Sequence, residues 1–155
     1  MNEHKLAFLQ HEMMPLLHKL TATGTGKWGK MNAQQMVEHV TAFFKVSTEK
    51  IKFPLLTPIE HLPKYKEFLF SEKEFRENTK APEEIIGEEA LPVHYKTMEE
   101  AVEKLGTEKE NFIETFRADP SRKSLHPVFG ELNFEEWVLL HHKHVTHHWK
   151  QFGLL

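Results

Sequence analysis

Apolar residues recur three or four positions apart in four separate stretches of the chain, the spacing that places side chains on one face of an α-helix. The first stretch covers residues 3–20, where Pro15 is expected to kink or split the helix. The others begin after Asn32, Thr97 and Asn133, each followed three positions later by Gln or Glu, as in a capping box. The pattern therefore predicts four helices.

The connections between these helices differ in length. Short loops join helices one and two, and a proline-containing turn joins helices three and four, which predicts antiparallel neighbours. The middle connection, residues 50–96, is about 47 residues long and contains five prolines, with a short helix expected over residues 65–77. A segment of this length can cross the whole bundle. We therefore expect an all-α, up-down-down-up four-helix bundle with a long crossover between helices two and three, forming one domain over residues 1–155.

Composition limits the function classes. The 155 residues carry a net charge of -3, with acidic and basic side chains mixed along the chain, so nucleic acid is not an expected partner. No apolar run approaches the roughly 20 residues that span a bilayer, and the N-terminus lacks the core of a signal peptide. We expect a soluble cytoplasmic protein with no membrane partner. Because cysteine is absent, any metal ion must be held by nitrogen or oxygen ligands.

The chain contains 12 histidines, five of them in the last predicted helix. At about 100° per residue, His141, His144 and His148 fall within a roughly 60° arc of the apolar face of that helix. His142 and His147 point away from the arc and are expected at the surface. A buried imidazole needs partners for its ring nitrogens, so the inward histidines call for a polar function inside the bundle.

His39 lies on the apolar stripe of helix two, and an antiparallel helix four brings it level with His144 and His148. Two histidines at i and i+4 with a third from a facing helix form a three-nitrogen metal site that leaves coordination positions open. We predict that His39, His144 and His148 bind one divalent ion. Zn²⁺ suits this site best, and Ni²⁺, Fe²⁺ and Mn²⁺ also fit. His141 is expected in the core or behind the ligands.

These residues resemble the DinB-like superfamily, which includes YfiT-type metal-dependent hydrolases and thiol-dependent transferases, over nearly the whole chain. Trp28 followed by residues 34–39 is similar to the second-helix motif of that family, whose final histidine is a ligand. Residues 144–151 resemble its last-helix HxxHHxxQ pattern, whose first and fifth positions are ligands and whose final position is Gln151 here. Residues 126–130 are similar to one uncharacterised branch. The resemblance implies a helical fold and a metal ion.

An open three-histidine site predicts a metal-dependent hydrolase or transferase that acts on a small molecule. Since the chain has no cysteine, a thiol would have to be a low-molecular-weight cosubstrate. The sequence identifies no catalytic side chain beyond the ligands. The alternative is a non-enzymatic bundle that binds metal or another ligand in a structural or sensing role. A homodimer is a candidate assembly.

The end of the bundle nearest the predicted metal also receives a glycine-containing loop and the end of the crossover. We expect Trp28, His94 and Tyr95 to line the pocket mouth and to help select the substrate, with Gln151 either behind the ligands or facing the substrate. His126 precedes the start of the last helix. It is therefore expected at the opposite end of the bundle, roughly 16 Å along the axis from His144.

Overall fold

Helices make up most of the fold in the computed structural model, which describes residues 1–77, 79 and 91–155. In chain order the elements are α1 (Glu3–Ala7), a π-helical turn (Phe8–Glu12), α2 (Met13–Leu17), α3 (Ala33–Ser47), a 3₁₀ turn (Ile59–His61), α4 (Leu62–Phe70), α5 (Met98–Ala118), β1 (Ser124–His126), β2 (Gly130–Leu132) and α6 (Phe134–Gln151). Part of the predicted crossover, residues 78 and 80–90, lies outside the described ranges.

The first helical stretch changes its hydrogen-bonding register just before Pro15. Proline has no N–H, and its ring clashes with the carbonyl four residues earlier, so the helix widens into the π-helical turn between α1 and α2. Leu9, Met13 and Leu17 remain fully or almost fully buried across this change. The indole N–H of Trp149 donates to the Met13 carbonyl oxygen at 3.0 Å. The predicted interruption at Pro15 therefore takes the form of a change in helix type, and the apolar face stays in the core.

The capping boxes at the starts of α3 and α6 are confirmed. The Asn32 side chain accepts from the Gln35 N–H at 2.8 Å, and the Gln35 side chain accepts from the Asn32 N–H at 2.8 Å. Asn133 and Glu136 make the same reciprocal pair at 2.9 and 2.8 Å. Each box satisfies two backbone donors at the helix start, which fixes where the histidine-bearing helices begin.

The predicted capping box at the start of α5 forms only one of its two hydrogen bonds. The Thr97 hydroxyl accepts from the Glu100 N–H at 3.1 Å, as expected for a cap. The Glu100 carboxylate, however, accepts from the Lys96 N–H at 3.3 Å instead of the Thr97 N–H. The helix start is correctly predicted, and only one of its two capping hydrogen bonds is of the predicted type.

Two helix ends differ from the predictions. α6 ends at Gln151 and not at Gly153, which adopts φ +74 just beyond the helix. The helix inside the crossover spans Leu62–Phe70 instead of residues 65–77. Pro63 suits the first turn of a helix, where its missing N–H costs nothing, and the backbone becomes extended directly after Phe70.

A two-stranded antiparallel hairpin stands where a simple proline turn was expected between α5 and α6, so the all-α prediction is wrong at this point. β1 and β2 pair Ser124 with Leu132 and His126 with Gly130. The Ser124 hydroxyl donates to the Ser47 carbonyl oxygen at 2.7 Å, which fastens the hairpin to the end of α3. The hairpin is therefore held against the fold at the end of α3 instead of projecting freely from it.

The core lies between the long helices. α3 packs against both α5 and α6, and the first helical stretch and α4 pack against α6. The largest fully buried side chains are Trp137, Trp149, Phe44, Phe112 and Phe116. Burial of each such side chain contributes about 1.5–3 kcal/mol. Among the described helices, none combines the length and apolar character needed to cross a bilayer.

Candidate metal-binding site

Three imidazole rings from α3 and α6 converge on one point. The Nε2 atoms of His39 and His144 are 2.9 Å apart, and those of His144 and His148 are 3.1 Å apart. One ring nitrogen from each residue lies within 4.8 Å of the other two. His144 and His148 stand one helical turn apart on the face of α6 that meets α3, as the periodicity predicts. The structure thus brings together the three predicted ligands.

Burial keeps all three rings neutral. Removal from water lowers the pKa of His39 to about 4, with a smaller contribution from His147 nearby. Burial also holds the pKa values of His144 and His148 well below the ordinary value, and the neighbouring histidines lower them further. A metal-binding imidazole must be deprotonated. These rings present that form at neutral pH without any change in structure.

The three ring nitrogens have too few hydrogens to hydrogen-bond to one another, and a bound cation would satisfy their lone pairs. His148 donates from Nδ1 to the Gln151 side-chain oxygen at 2.7 Å, so its Nε2 is a bare acceptor. His144 Nε2 faces both this acceptor and His39 Nε2, and one ring hydrogen can serve only one of the two contacts with good geometry. A cation that accepts all three lone pairs removes the conflict. Zn–N bonds of 2.0–2.1 Å in a tetrahedral site place neighbouring nitrogens about 3.3 Å apart, close to the observed separations.

Gln151 supports the cluster from behind, as expected. Its side-chain oxygen accepts from His148, and its side-chain nitrogen donates to the Trp28 carbonyl oxygen at 2.9 Å. The Lys27 N–H also donates to the Gln151 carbonyl oxygen at 2.7 Å. The amide therefore fixes the tautomer and orientation of His148 and ties the glycine-containing loop to the end of α6.

The cluster opens into a large cavity of about 1610 Å³. Its walls present more apolar than polar surface, with aromatic side chains and histidines prominent among the lining residues, so a ligand would bind in a largely apolar setting. His39 and His144 are only partly enclosed, because part of each ring faces this space. The aromatic residues and further histidines that line the cavity include Trp28, Phe43, Tyr65, Phe68, Phe75, His94, His126, Phe129, Trp137, His141 and His147.

Two of the three predicted mouth residues line the cavity. Trp28 and His94 line the cavity, whereas Tyr95 packs edge-on against the His94 ring at 5.1 Å and is absent from the described lining. Glu38, which the sequence analysis did not single out, holds this segment. Its carboxylate accepts from the backbone N–H of His94 at 2.6 Å and of Tyr95 at 3.3 Å, and from the Gln34 side chain at 2.9 Å. The one sequence feature that pointed to a role for Glu38 was its position directly before the predicted ligand His39.

His147 is not the ordinary surface residue that its helical position predicted. Its ring is half-buried, lines the cavity and contacts Trp28 at 5.4 Å and Phe75 at 5.9 Å. His142 is also half-buried, against Phe8 at 5.1 Å. The outer face of α6 is covered because Lys143 donates to the carbonyl oxygens of residues 71 and 73 of the crossover.

His126 also lies where it was not expected. Its ring stacks at 5.8 Å on Phe43, which is itself 4.8 Å from the His144 ring. The Phe43 ring therefore lies between His126 and the three-histidine cluster. The prediction that His126 lies at the opposite end of the bundle is wrong. The fold-back of the β1–β2 hairpin is the cause. Burial lowers the pKa of His126 to about 3.

His141 is in the core beside the cluster, as expected. Its ring is 1% exposed and lies between Phe44, at 4.0 Å, and Trp137, at 5.2 Å. Burial holds its pKa well below the ordinary value. Within the described part of the chain, its Nε2 atom has no hydrogen-bond partner. It is therefore a packed aromatic ring with one unsatisfied polar atom, outside the set of three converging nitrogens.

The fold and the site together define a class: a mostly helical protein whose helices carry a buried cluster of three neutral histidines. The family comparison agrees with that class. The model of the DinB superfamily matches residues 6–152, nearly the whole chain, and the chain belongs to this superfamily. No curated protein matches the sequence. The superfamily includes metal-binding proteins, and this chain carries a three-histidine cluster able to hold an ion.

Proposed function

We propose that the protein binds one divalent metal ion, best Zn²⁺, through Nε2 of His39, His144 and His148. The observation that carries this proposal is the convergence of three neutral ring nitrogens, all within 4.8 Å of one another, in which His144 Nε2 lies 2.9 Å from His39 and 3.1 Å from His148 and one ring hydrogen cannot satisfy both contacts. Three imidazoles without a carboxylate form a borderline ligand set that suits Zn²⁺ and admits Ni²⁺, Fe²⁺ and Mn²⁺.

We further propose that the helices form a four-helix bundle of up-down-down-up order, with the first stretch, α3, α5 and α6 as its members. The support is the packing of α3 against α5 and α6, together with the short links before α3 and before α6. This order makes α3 and α6 antiparallel. His39, near the middle of α3, then faces the second half of α6, where the other two ligands stand.

The cavity favours a catalytic role over a structural one. Structural zinc sites are closed by four protein ligands, whereas catalytic sites have three and an open position. Here the three nitrogens border a cavity of about 1610 Å³, large enough for a small molecule. A divalent ion held there supplies Lewis acidity toward water, a thiol or a carbonyl group. Aromatic side chains contribute to the cavity walls, and Gln151 fixes the His148 ring. We propose a metal-dependent hydrolase or transferase acting on a small molecule.

Metal content is the first test. Purified protein should bind about one Zn²⁺ per chain and release it to a strong chelator. The metal-free protein should keep its helical circular dichroism, because the core is built without the cluster, and melt at a lower temperature than the loaded form. A chain that binds no divalent ion at micromolar concentrations contradicts the proposal. A chain that loses all helicity without metal supports a structural role instead, which is the alternative function.

The role of Gln151 gives a second prediction. Gln151→Leu removes the acceptor for His148 Nδ1 and should lower Zn²⁺ affinity about 10- to 100-fold, as loss of such supporting groups does elsewhere. Gln151→Glu keeps an acceptor at the same position and should lose much less affinity. Competition titration against a coloured chelator measures both. Equal losses in the two variants would show that packing, and not orientation of His148, is what Gln151 supplies.

A further inference from the structure

The His126 imidazole has a fixed tautomer. Its Nδ1 accepts from the backbone N–H groups of Val128 at 3.0 Å and Phe129 at 3.2 Å, within the turn of the β1–β2 hairpin. A ring nitrogen that accepts two hydrogen bonds carries no hydrogen, so the hydrogen of the neutral ring is on Nε2. His126 is therefore a hydrogen-bond donor held rigidly by its own backbone.

This donor belongs to the wall of the cavity. The residue is only 5% exposed, it lines the cavity, and its neighbours are the rings of Phe43, Phe129 and Trp137. Across the described residues, Nε2 has no protein acceptor. Buried polar groups are nearly always hydrogen-bonded. The Nε2 atom is not among the fully buried atoms without a partner, so it retains access to the cavity, and a rigid donor in this position is suited to a ligand.

The surroundings of His126 define the kind of acceptor. Nε1 of Trp137 and Nε2 of His141 also belong to residues of this wall, but both atoms are fully buried and have no partner in the described ranges. The Nε2–H group of His126 is therefore the donor that this part of the wall presents to the cavity. The rings that contact His126 carry no formal charge, so an anionic group placed against them would lose its hydration without a counter-charge at that point. A neutral oxygen needs only the N–H group.

We propose that His126 Nε2–H donates to a neutral carbonyl oxygen, of the amide or ester class, on the ligand that fills this cavity. The Phe43 ring lies 5.8 Å from His126 and 4.8 Å from His144, so a planar ligand group at this point would lie one ring width from the three-histidine cluster. The same ligand would make a second contact with the proposed metal ion at the three-histidine cluster. Only that second contact rests on the proposed function. The hydrogen bond to His126 requires no metal.

Benzamide tests this proposal, with toluene as the matched ring without a carbonyl and benzoate as the anionic analogue. Binding is measured by NMR on wild-type protein and on His126→Asn, each with chelator and with Zn²⁺. Asn places an oxygen near the Nδ1 position, which keeps an acceptor for the backbone and removes the Nε2 donor. Wild type should prefer benzamide over toluene by about tenfold or more, and His126→Asn should lose that preference. Benzoate should bind more weakly than benzamide.

The imidazole nitrogens of wild-type protein give a reading that does not depend on the variant folding. ¹⁵N spectra should show His126 protonated on Nε2 and not on Nδ1, and benzamide should move the Nε2–H proton downfield while toluene does not. No preference for benzamide, an unmoved Nε2–H, or tighter binding of benzoate overturns the proposal. If Zn²⁺ does not bind and the preference persists with chelator, the proposed metal function fails and the role of His126 stands.

Discussion

Zn²⁺ affinity is expected to fall about 100-fold or more when His144 is replaced by alanine. The Nε2 atom of this residue lies at the centre of the cluster, 2.9 Å from His39 Nε2 and 3.1 Å from His148 Nε2. Zinc binding by four ligands releases about 10–16 kcal/mol in small domains, so one ligand accounts for roughly 3 kcal/mol. Competition titration against a chelator of known affinity at pH 7.5 measures the loss.

A matched control comes from the same helix. His142 is half-buried like His144 but packs against Phe8 and is not among the described residues that line the cavity. His142→Ala should leave Zn²⁺ affinity within about twofold of wild type. Melting of both variants with chelator separates a folding defect from loss of a ligand. Stoichiometric Zn²⁺ binding by the double variant His144→Ala/His148→Ala would show that the ion is held elsewhere.

The sequence was sufficient to predict which three histidines converge, because most of the steps were local. The capping residues Asn32 and Asn133 fix where two helices begin, and both capping boxes form as predicted. Helical periodicity then puts His144 and His148 on the apolar side of one helix and His39 on that of another. The predicted order of the helices brought the two faces together at one level. The positions of these three histidines follow from helix starts, helical periodicity and helix order, and not from contacts between distant loops.

The position of His126 could not be predicted, because it depends on such contacts. The hairpin is held by the Ser124 hydroxyl on the Ser47 carbonyl oxygen and by the Leu56 N–H on the Pro127 carbonyl oxygen. Both bonds join residues far apart in the chain, and neither leaves a periodic signal. A rise of about 1.5 Å per residue applies along a helix and not through a turn that folds back.

The covering of the outer face of α6 was missed for a related reason. A lysine at an outward helical position usually indicates solvent, yet Lys143 is 6% exposed. Its ammonium group donates to the Ser71 carbonyl oxygen at 2.7 Å and lies 4.8 Å from the centre of the Phe68 ring. The crossover thus uses a charged side chain as its anchor. Residue type alone predicts the opposite environment for Lys143 and for the neighbouring His147.

Metal-free protein is expected to lose stability steeply as the pH falls from about 6.5 toward 4. In the folded chain burial lowers the pKa of His126 from 6.5 to about 3 and places that of His141 well below its ordinary value. In the unfolded chain these two imidazoles become protonated near pH 6.5, whereas in the folded chain they stay neutral to a much lower pH. Below pH 6.5 the unfolded state therefore binds more protons, and the free energy of unfolding decreases as the pH decreases.

The expected size of this loss is large for a protein of this kind. Each such ring contributes about 1.4 kcal/mol per pH unit within its window, so His126 alone accounts for roughly 4–5 kcal/mol by pH 3. Domains of this size are stable by only about 5–15 kcal/mol. Two or more rings titrating together should therefore remove a large part of the stability of the metal-free protein by pH 4. The stability is fully present above pH 6.5, where both states hold neutral rings.

Urea denaturation with chelator, at half-unit steps from pH 7.5 to pH 4.5, measures the free energy of unfolding against pH. Its slope gives the number of protons taken up on unfolding. His126→Asn removes one of the buried rings, so its slope near pH 5.5 should be smaller by about 1.4 kcal/mol per pH unit, one proton fewer. His18→Asn, on an exposed residue, controls for the substitution itself. Identical slopes in wild type and His126→Asn would mean that His126 is charged in the folded protein, which the two backbone N–H groups donating to its Nδ1 argue against.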